Sequence, residues 1–258
     1  MASAALITGG AVRLGQAMAM RLAQRGADVV VHYAGSRHEA AAVVAEARAL
    51  GVNAVALQAD LLDAGAVAEL VPRAKEALGK PLDILINNAS IFEYDNLKSA
   101  TAESWDRHVD SNLRAPVFLT QAFAEQAPEA GNDGEPLAMA NVINMIDQRV
   151  RKPTPEFMTY SLAKAGLWAF TQTAAQALAP KIRVNGIGPG PTLRGVRQSE
   201  EHFTSQRKAT ILQRGSSPSE ICRTMDFILD SPGLTGQLLC LDGGQHLAWQ
   251  TPDILGPE

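Results

Sequence analysis

Residues 4–15 read Ala4-Ala5-Leu6-Ile7-Thr8-Gly9-Gly10-Ala11-Val12-Arg13-Leu14-Gly15. A short apolar run, a glycine-bearing turn and the start of a helical pattern predict a buried strand feeding directly into a helix. The same rhythm of short and long runs repeats along the chain. Strands are predicted at residues 5–8, 28–33, 53–58, 84–87, 140–145, 182–187 and 237–241, with helices at 15–25, 36–50, 64–78, 101–125, 157–178 and 219–229. Regular β-α alternation predicts a parallel sheet with helices on both faces. Several strands are apolar throughout, as burial of both sheet faces requires. The expected architecture is α/β: one domain over residues 1–258, built on a doubly wound parallel sheet of about seven strands.

A length of 258 residues, 46% of them hydrophobic, supports one large core. The net charge of −4 gives no reason to expect nucleic acid or an anionic membrane as partner. No apolar run approaches the roughly eighteen residues a membrane span needs. The N-terminus enters the first strand with no basic stretch before it, unlike a signal peptide. Cys222 and Cys240 form no metal or redox spacing, so the chain is expected to be cytoplasmic, with two reduced thiols and no metal. Residues 129–136 are polar turn formers and predict a surface loop. Residues 190–217 are longer than a β-to-α link needs and follow a strand end, where ligands bind in open α/β sheets. They are expected to form a lid over a substrate, although Leu193, Arg194, Val196, His202 and Phe203 show no pattern that names it.

Thr8, Gly9, Leu14 and Gly15 belong to the first turn, where glycines let the backbone approach a pyrophosphate and the helix N-terminus favours its charge. The three-glycine dinucleotide fingerprint is not met, because Arg13 stands where a middle glycine is expected. At the end of the second strand an acidic residue would select NAD by bonding the ribose hydroxyls. The segment His32-Tyr33-Ala34-Gly35-Ser36-Arg37 has none, and Ser36, Arg37 and Arg13 suit a 2′-phosphate instead. The cofactor expected is NADP(H). Asp60-Leu61 and Asn87-Asn88-Ala89-Ser90 follow two further strands and should edge the same cleft; as a bare pattern, the Asn pair serves equally as turn formers.

Tyr160 and Lys164 lie four residues apart near the start of a predicted helix, which puts both on one face. A free tyrosine, with a pKa of about 10, is a poor base at neutral pH. An ammonium beside it should favour the phenolate and lower that value. Asp147 follows the apolar run Val142-Ile143-Asn144-Met145-Ile146 and should place a carboxyl at the mouth of the site. Taken alone, a Tyr and a Lys at this spacing also read as a half-exposed aromatic and a solvated charge.

The joint pattern resembles the short-chain dehydrogenase/reductase family over essentially the whole chain. The matching residues are Thr8-Gly9 with Gly15, Asp60, Asn87-Asn88-Ala89, Asn112, Tyr160 with Lys164, Pro189-Gly190 and Asp242-Gly243-Gly244. The resemblance implies a Rossmann-type fold, Tyr160 as catalytic acid/base, Lys164 on the nicotinamide ribose and Asn112 ordering a relay water. It also implies Asn88 and Ala89 on the adenosine side, Thr192 at the carboxamide and Pro189-Gly190 beside the cofactor. Two departures, Arg13 in the first turn and Asp147 in place of the usual serine, resemble the pteridine reductase branch. So do His32-Tyr33 with Ser36, Asn87-Asn88-Ala89-Ser90-Ile91-Phe92 and Asn144-Met145-Ile146-Asp147.

That branch implies a pterin ring sandwiched between Phe92 and the nicotinamide, with Ser90, Arg13, Asp147 and Tyr160 in contact with it. The function expected is hydride transfer from NADPH to a pterin or dihydropterin C=N bond, folates included, with Tyr160, Lys164 and Asp147 handling the proton. The alternatives are an NADPH-dependent reductase of a 3-oxoacyl thioester or ketone, and a non-catalytic NADP(H)-binding regulator. The family resemblance further implies a homotetramer. The tail after Gly244, with His246, Trp249 and Pro252, reads equally as packing on a neighbour or on its own chain.

Overall fold

The computed structural model describes residues 3–195 and 198–249. Seven strands form one parallel sheet: β1 (Ala4–Ile7), β2 (Asp28–Tyr33), β3 (Ala54–Gln58), β4 (Ile84–Asn87), β5 (Ala140–Met145), β6 (Ile182–Pro189) and β7 (Leu238–Leu241). Their spatial order is β3-β2-β1-β4-β5-β6-β7. All four residues of β1 are buried, and each large apolar side chain so placed contributes about 1.5–3 kcal/mol. The register is tight: Leu6 sits opposite Val30 of β2 and Leu85 of β4.

Helices α1 (Arg13–Gln24), α2 (Arg37–Ala49) and α8 (Pro218–Asp230) cover one face, with Met18, Val43 and Ile221 in its core. Helices α3 (Ala64–Leu78), α5 (Ala115–Gln126) and α6 (Met158–Leu178) cover the other, through Val67, Leu119 and Ala174. The strand order reverses beside β1: β2 and β3 lie on one side, β4 and its successors on the other. The crevice beyond the C-terminal ends of β1 and β4 is where such sheets hold ligands.

One expectation changes, and two stretches gain detail. Residues 101–125 are not one helix: α4 (Ala102–Val109) passes through a π-helical turn at Asp110–Arg114 into α5. Pro116 explains the break, since in a regular helix its ring would strike the carbonyl of Asn112 and it has no N–H to offer. Residues 190–217 contain a helix, α7 (Glu200–Lys208), whose first turn is capped by the Ser199 side chain accepting the His202 N–H. Residues 129–136 extend into a short hairpin that pairs Gly131–Asn132 with Pro136–Leu137. Among the described residues no helix is long and apolar enough to cross a membrane.

Candidate active site

A cavity of about 660 Å³ opens at the C-terminal ends of β1, β4, β5 and β6, a size suited to a dinucleotide and a small ring. One end is formed by the first turn. Gly9, Val12, Arg13, Leu14 and Gly15 line it, and Val12 gives α1 no side-chain cap, leaving first-turn N–H groups in need of an acceptor. The turn is as tight as glycine permits: a Cβ on Gly15 would lie 2.0 Å from the Gly9 carbonyl oxygen. Arg13 has φ 55°, the left-handed conformation a glycine adopts without strain. It therefore fills the expected middle-glycine position in backbone geometry, and its side chain is put to use. The Arg13 guanidinium donates to the Arg194 and Leu193 carbonyls at 2.9 and 3.2 Å, joining the glycine turn to the segment after β6.

Thr8 and Asn88 brace the ends of β1 and β4. Thr8 Oγ1 accepts the N–H groups of Asn88 and Ala89 at 2.9 and 3.0 Å, and Asn88 Nδ2 donates to the Thr8 carbonyl at 2.8 Å. Thr8 is buried and does not line the cavity, so it shapes the turn from behind. Asp60, Leu61, Asn88, Ala89 and Ser90 do line it, as do Pro189, Gly190 and Thr192. The Gly190 position is forced by the Asp242-Gly243-Gly244 segment, since a Cβ there would lie 2.6 Å from the Asp242 Cα. The Thr192 hydroxyl donates to the Gly190 carbonyl at 3.0 Å and meets Ser216 Oγ at 2.5 Å. Tyr33, Ser36 and Arg37 stand at the end of β2 and the start of α2, outside the cavity lining.

The chemical end gathers Asp147, Tyr160 and Lys164, all in the lining. Tyr160 Oη donates to Asp147 Oδ2 at 2.9 Å, while Asp147 Oδ1 accepts the Arg149 N–H at 2.8 Å. Asp147 thus both caps the turn after β5 and faces the phenol. Lys164 is buried and donates to the Met145 carbonyl at 2.7 Å. Burial raises the Asp147 pKa above the usual carboxylate range.

The expected lowering of the Tyr160 pKa is not found: burial first, then the adjacent Asp147, raises it well above its ordinary value. Lys164 lies 5.7 Å from the ring centroid and points at Met145, so it does not reverse these effects. Its own pKa is lowered by burial to about 8. The phenol therefore holds its proton, and the carboxyl beside it keeps one to higher pH than an ordinary carboxylate.

Phe92 forms the aromatic wall. It is 50% exposed, stacks on Phe157 with centroids 4.3 Å apart and planes at 9°, and meets the Tyr160 ring edge-on at 4.7 Å. Asn112, inside the π-helical turn, spends both ends of its amide on Ile91: Nδ2 donates to the carbonyl at 2.8 Å and Oδ1 accepts the N–H at 2.9 Å. Its visible work is to anchor the segment that carries Ser90 and Phe92.

Phe157 was not singled out from sequence, and His32 was named there only within the segment His32-Tyr33, without a role. Phe157 backs the aromatic wall. His32 is buried, accepts the Gly9 N–H on Nδ1 at 3.0 Å and bonds the Ala59 carbonyl through Nε2 at 3.1 Å. Only the neutral ring protonated on Nε2 satisfies both, and burial lowers its pKa to about 4. Neither had a local signal, because each acts through a partner far along the chain. In the tail, His246 bonds Asp242 at 2.7 Å and Ala248 accepts from Lys152 at 2.9 Å, so residues 246–248 pack on their own chain. Trp249 is exposed; Val196 and Pro252 lie outside the described residues.

Residues 3–204 match the family model for short chain dehydrogenases. The 3-oxoacyl-[acyl-carrier-protein] reductase FabG of Staphylococcus aureus is 30% identical over 252 residues, covering 96% of this chain and 99% of that protein. An L-rhamnose 1-dehydrogenase (NAD(P)(+)) of a Sphingomonas species is 30% identical over 253 residues, covering 95% and 96%. Among solved structures, the FolM alternative dihydrofolate reductase 1 of Brucella suis in complex with NADP superposes with a TM-score of 0.90 at 42% identity, covering 98% of each chain. A short chain dehydrogenase of Burkholderia cenocepacia in complex with NADP gives 0.85 at 34% identity, covering 94% of this chain and 97% of that one.

Proposed function

The chain belongs to the short chain dehydrogenase family, and within it we propose an NADPH-dependent reductase of a C=N bond in pterins or dihydropterins, folates included. The observation that carries this reading is the 2.9 Å hydrogen bond from Tyr160 to Asp147, beside the Phe92 wall. A carbonyl substrate needs one hydroxyl to polarise its oxygen. A pterin presents ring nitrogens and an amino group, and a carboxyl can share protons with those. The Brucella FolM protein, similar over the whole chain at 42% identity and named as a dihydrofolate reductase, supports the same substrate class.

NADP(H) fits the cavity. The uncapped N-terminus of α1 suits the pyrophosphate, Asn88 and Ala89 would edge the adenosine, and Thr192 the carboxamide. Ser36 and Arg37 would hold the 2′-phosphate from the rim, with Arg13 between phosphate turn and lid. When bound, the cofactor supplies hydride. The protein's own residues do the rest. Phe92 offers one ring face for stacking. Tyr160, kept neutral by burial, holds the proton that a ring nitrogen needs as its neighbouring carbon is reduced. Asp147 orients that hydroxyl and, when protonated, replenishes it. Lys164 would hold the nicotinamide ribose, and Asn112 fixes Ile91 and would order a relay water. Residues 190–217, latched by Arg13 and carrying α7, would close over the substrate.

The FabG and rhamnose dehydrogenase relatives favour a second reading, reduction of a carbonyl or its reverse. Asp147, standing where that chemistry calls for a hydroxyl, argues against it. A silent NADP(H)-binding regulator would need no assembled proton donor. We further propose a cytoplasmic homotetramer, checked by light scattering of the purified protein. One assay separates the readings: NADPH oxidation with dihydrobiopterin, dihydrofolate and an acetoacetyl thioester. Stimulation by the pterins supports the proposal, and turnover of the thioester alone sinks it.

A further inference from the structure

Behind the catalytic pair a buried polar chain runs from α4 to α6. His108 is completely buried in the last turn of α4. Its Nε2 accepts the Glu93 N–H at 3.1 Å, and its Nδ1 lies 2.7 Å from Thr159 Oγ1. The Thr159 hydroxyl bonds Asp95 Oδ2, the Thr159 N–H donates to Asp95 Oδ1 at 3.2 Å, and Ser104 Oγ donates to Asp95 Oδ2 at 3.1 Å. The donor roles close in one way. Because the Glu93 N–H donates, Nε2 must be bare, so Nδ1 carries the proton and gives it to Thr159. The Thr159 hydrogen then goes to Asp95. The Thr159 hydroxyl can accept from the ring and donate to the carboxylate at once.

The chain's contacts end one residue from each wall of the substrate site. Glu93 follows Phe92, and Thr159 precedes Tyr160. The same two segments are tied again by Phe157 N–H on the Asp95 carbonyl at 2.7 Å and by an antiparallel bridge between Asn96 and Glu156. The His108 ring also meets Tyr160 edge-on at 6.1 Å. A buried polar network adds little net stability over apolar packing, but fully satisfied it fixes one arrangement of the parts it joins. Here the parts are the aromatic wall and the proton donor.

We propose that His108 and Thr159 are positioning residues that fix the Phe92 ring relative to Tyr160, and so make the site select flat heterocycles over flexible carbonyl compounds. This selectivity rests on the pterin reading above. Thr159→Val removes the hydroxyl at constant shape, takes the acceptor from His108 Nδ1 and leaves Asp95 with only the Ser104 hydroxyl and the Thr159 N–H; Thr159→Ser keeps the hydroxyl. With NADPH saturating, Thr159→Val should raise the KM for dihydrobiopterin about tenfold while kcat falls less than about threefold, the signature of lost ground-state binding. Thr159→Ser should restore the wild-type KM, and His108→Ala should behave as Thr159→Val does. An unchanged KM in Thr159→Val overturns the proposal. So does a loss of kcat that follows a falling melting temperature and is not rescued by serine. If His108→Ala does not fold, the two Thr159 variants decide. If the wild-type protein reduces no pterin, the functional reading fails, and the clamp is judged on the crystal structure of Thr159→Val. A Phe92 ring displaced from Phe157 supports the clamp; rings still parallel at the wild-type spacing overturn it.

Discussion

Tyr160 gives its hydroxyl hydrogen to Asp147 across 2.9 Å, and the other Asp147 oxygen is pinned by the Arg149 N–H at 2.8 Å. The carboxyl is thus held by the turn that ends β5, whatever the phenol does, and the phenol hangs from a fixed acceptor. Burial favours the neutral form of both groups. A site arranged in this way keeps the phenol proton in place, as the C=N reduction proposed above would need.

Tyr160→Phe should therefore remove the terminal proton donor without disturbing the fold. The expected loss in kcat is about 10²–10⁴-fold, the range for general acid catalysis, with NADPH affinity retained in a fluorescence titration. A variant that keeps more than a tenth of wild-type kcat would assign the proton to another group.

The pH profile follows from the directions of two shifts. Asp147 is raised, so it keeps its proton to higher pH than an ordinary carboxyl, and Lys164 is lowered to about 8, so it loses its charge above that pH. Both changes lower activity as pH rises. The rate should be highest on the acidic side of neutrality and fall toward and beyond about pH 8. Asp147→Ser should remove the more acidic of the two ionisations from the kcat/KM profile. Superimposable profiles for wild type and Asp147→Ser would exclude a protonated Asp147 from the reaction.

Cofactor choice should rest on the rim of the cavity. Arg37 begins α2, four residues after the last residue of β2, where a 2′-phosphate would sit. Arg37→Glu should weaken NADPH binding about 10–100-fold, the scale of one lost charge-assisted hydrogen bond, and leave NADH binding nearly unchanged. Equal losses for both nucleotides would move the phosphate elsewhere.

His32 ties the glycine turn to the fold and must stay neutral to do so. Its folded pKa of about 4 lies below the ordinary 6.5. The unfolded chain therefore takes up the proton first, and the stability His32 contributes is full above pH 6.5 and declines as pH falls from there toward about 4. Between pH 7 and pH 5 the loss should be about 2 kcal/mol. Urea unfolding at the two pH values measures it, and His32→Gln should remove that part of the difference. Equal pH sensitivity in wild type and variant would refute a buried neutral ring.

Much of this protein is written locally. The run Ala4–Ile7, the glycine turn and α1 follow from residue order alone, as do the alternation of strands and helices and the placing of Tyr160 and Lys164 on one helix face. These features depend on side-chain periodicity and backbone freedom, which act between near neighbours. Strand ends shifted by only one or two residues, since boundary hydrogen bonds are shared with the next strand.

What only the tertiary structure decided acts through space. Pro116 split a predicted helix and put Asn112 in a π-helical turn, while α7 organised a stretch that carries no apolar period. His32 found Gly9, and His108 found both Glu93 and Thr159. Most telling is the direction of the Tyr160 shift. The helical spacing places an ammonium one turn away, which by itself favours the phenolate. The fold buries the ring, turns Lys164 toward Met145 and sets Asp147 against the hydroxyl. Desolvation depends on atoms gathered from several strands and helices at once, so no local spacing in the chain records it.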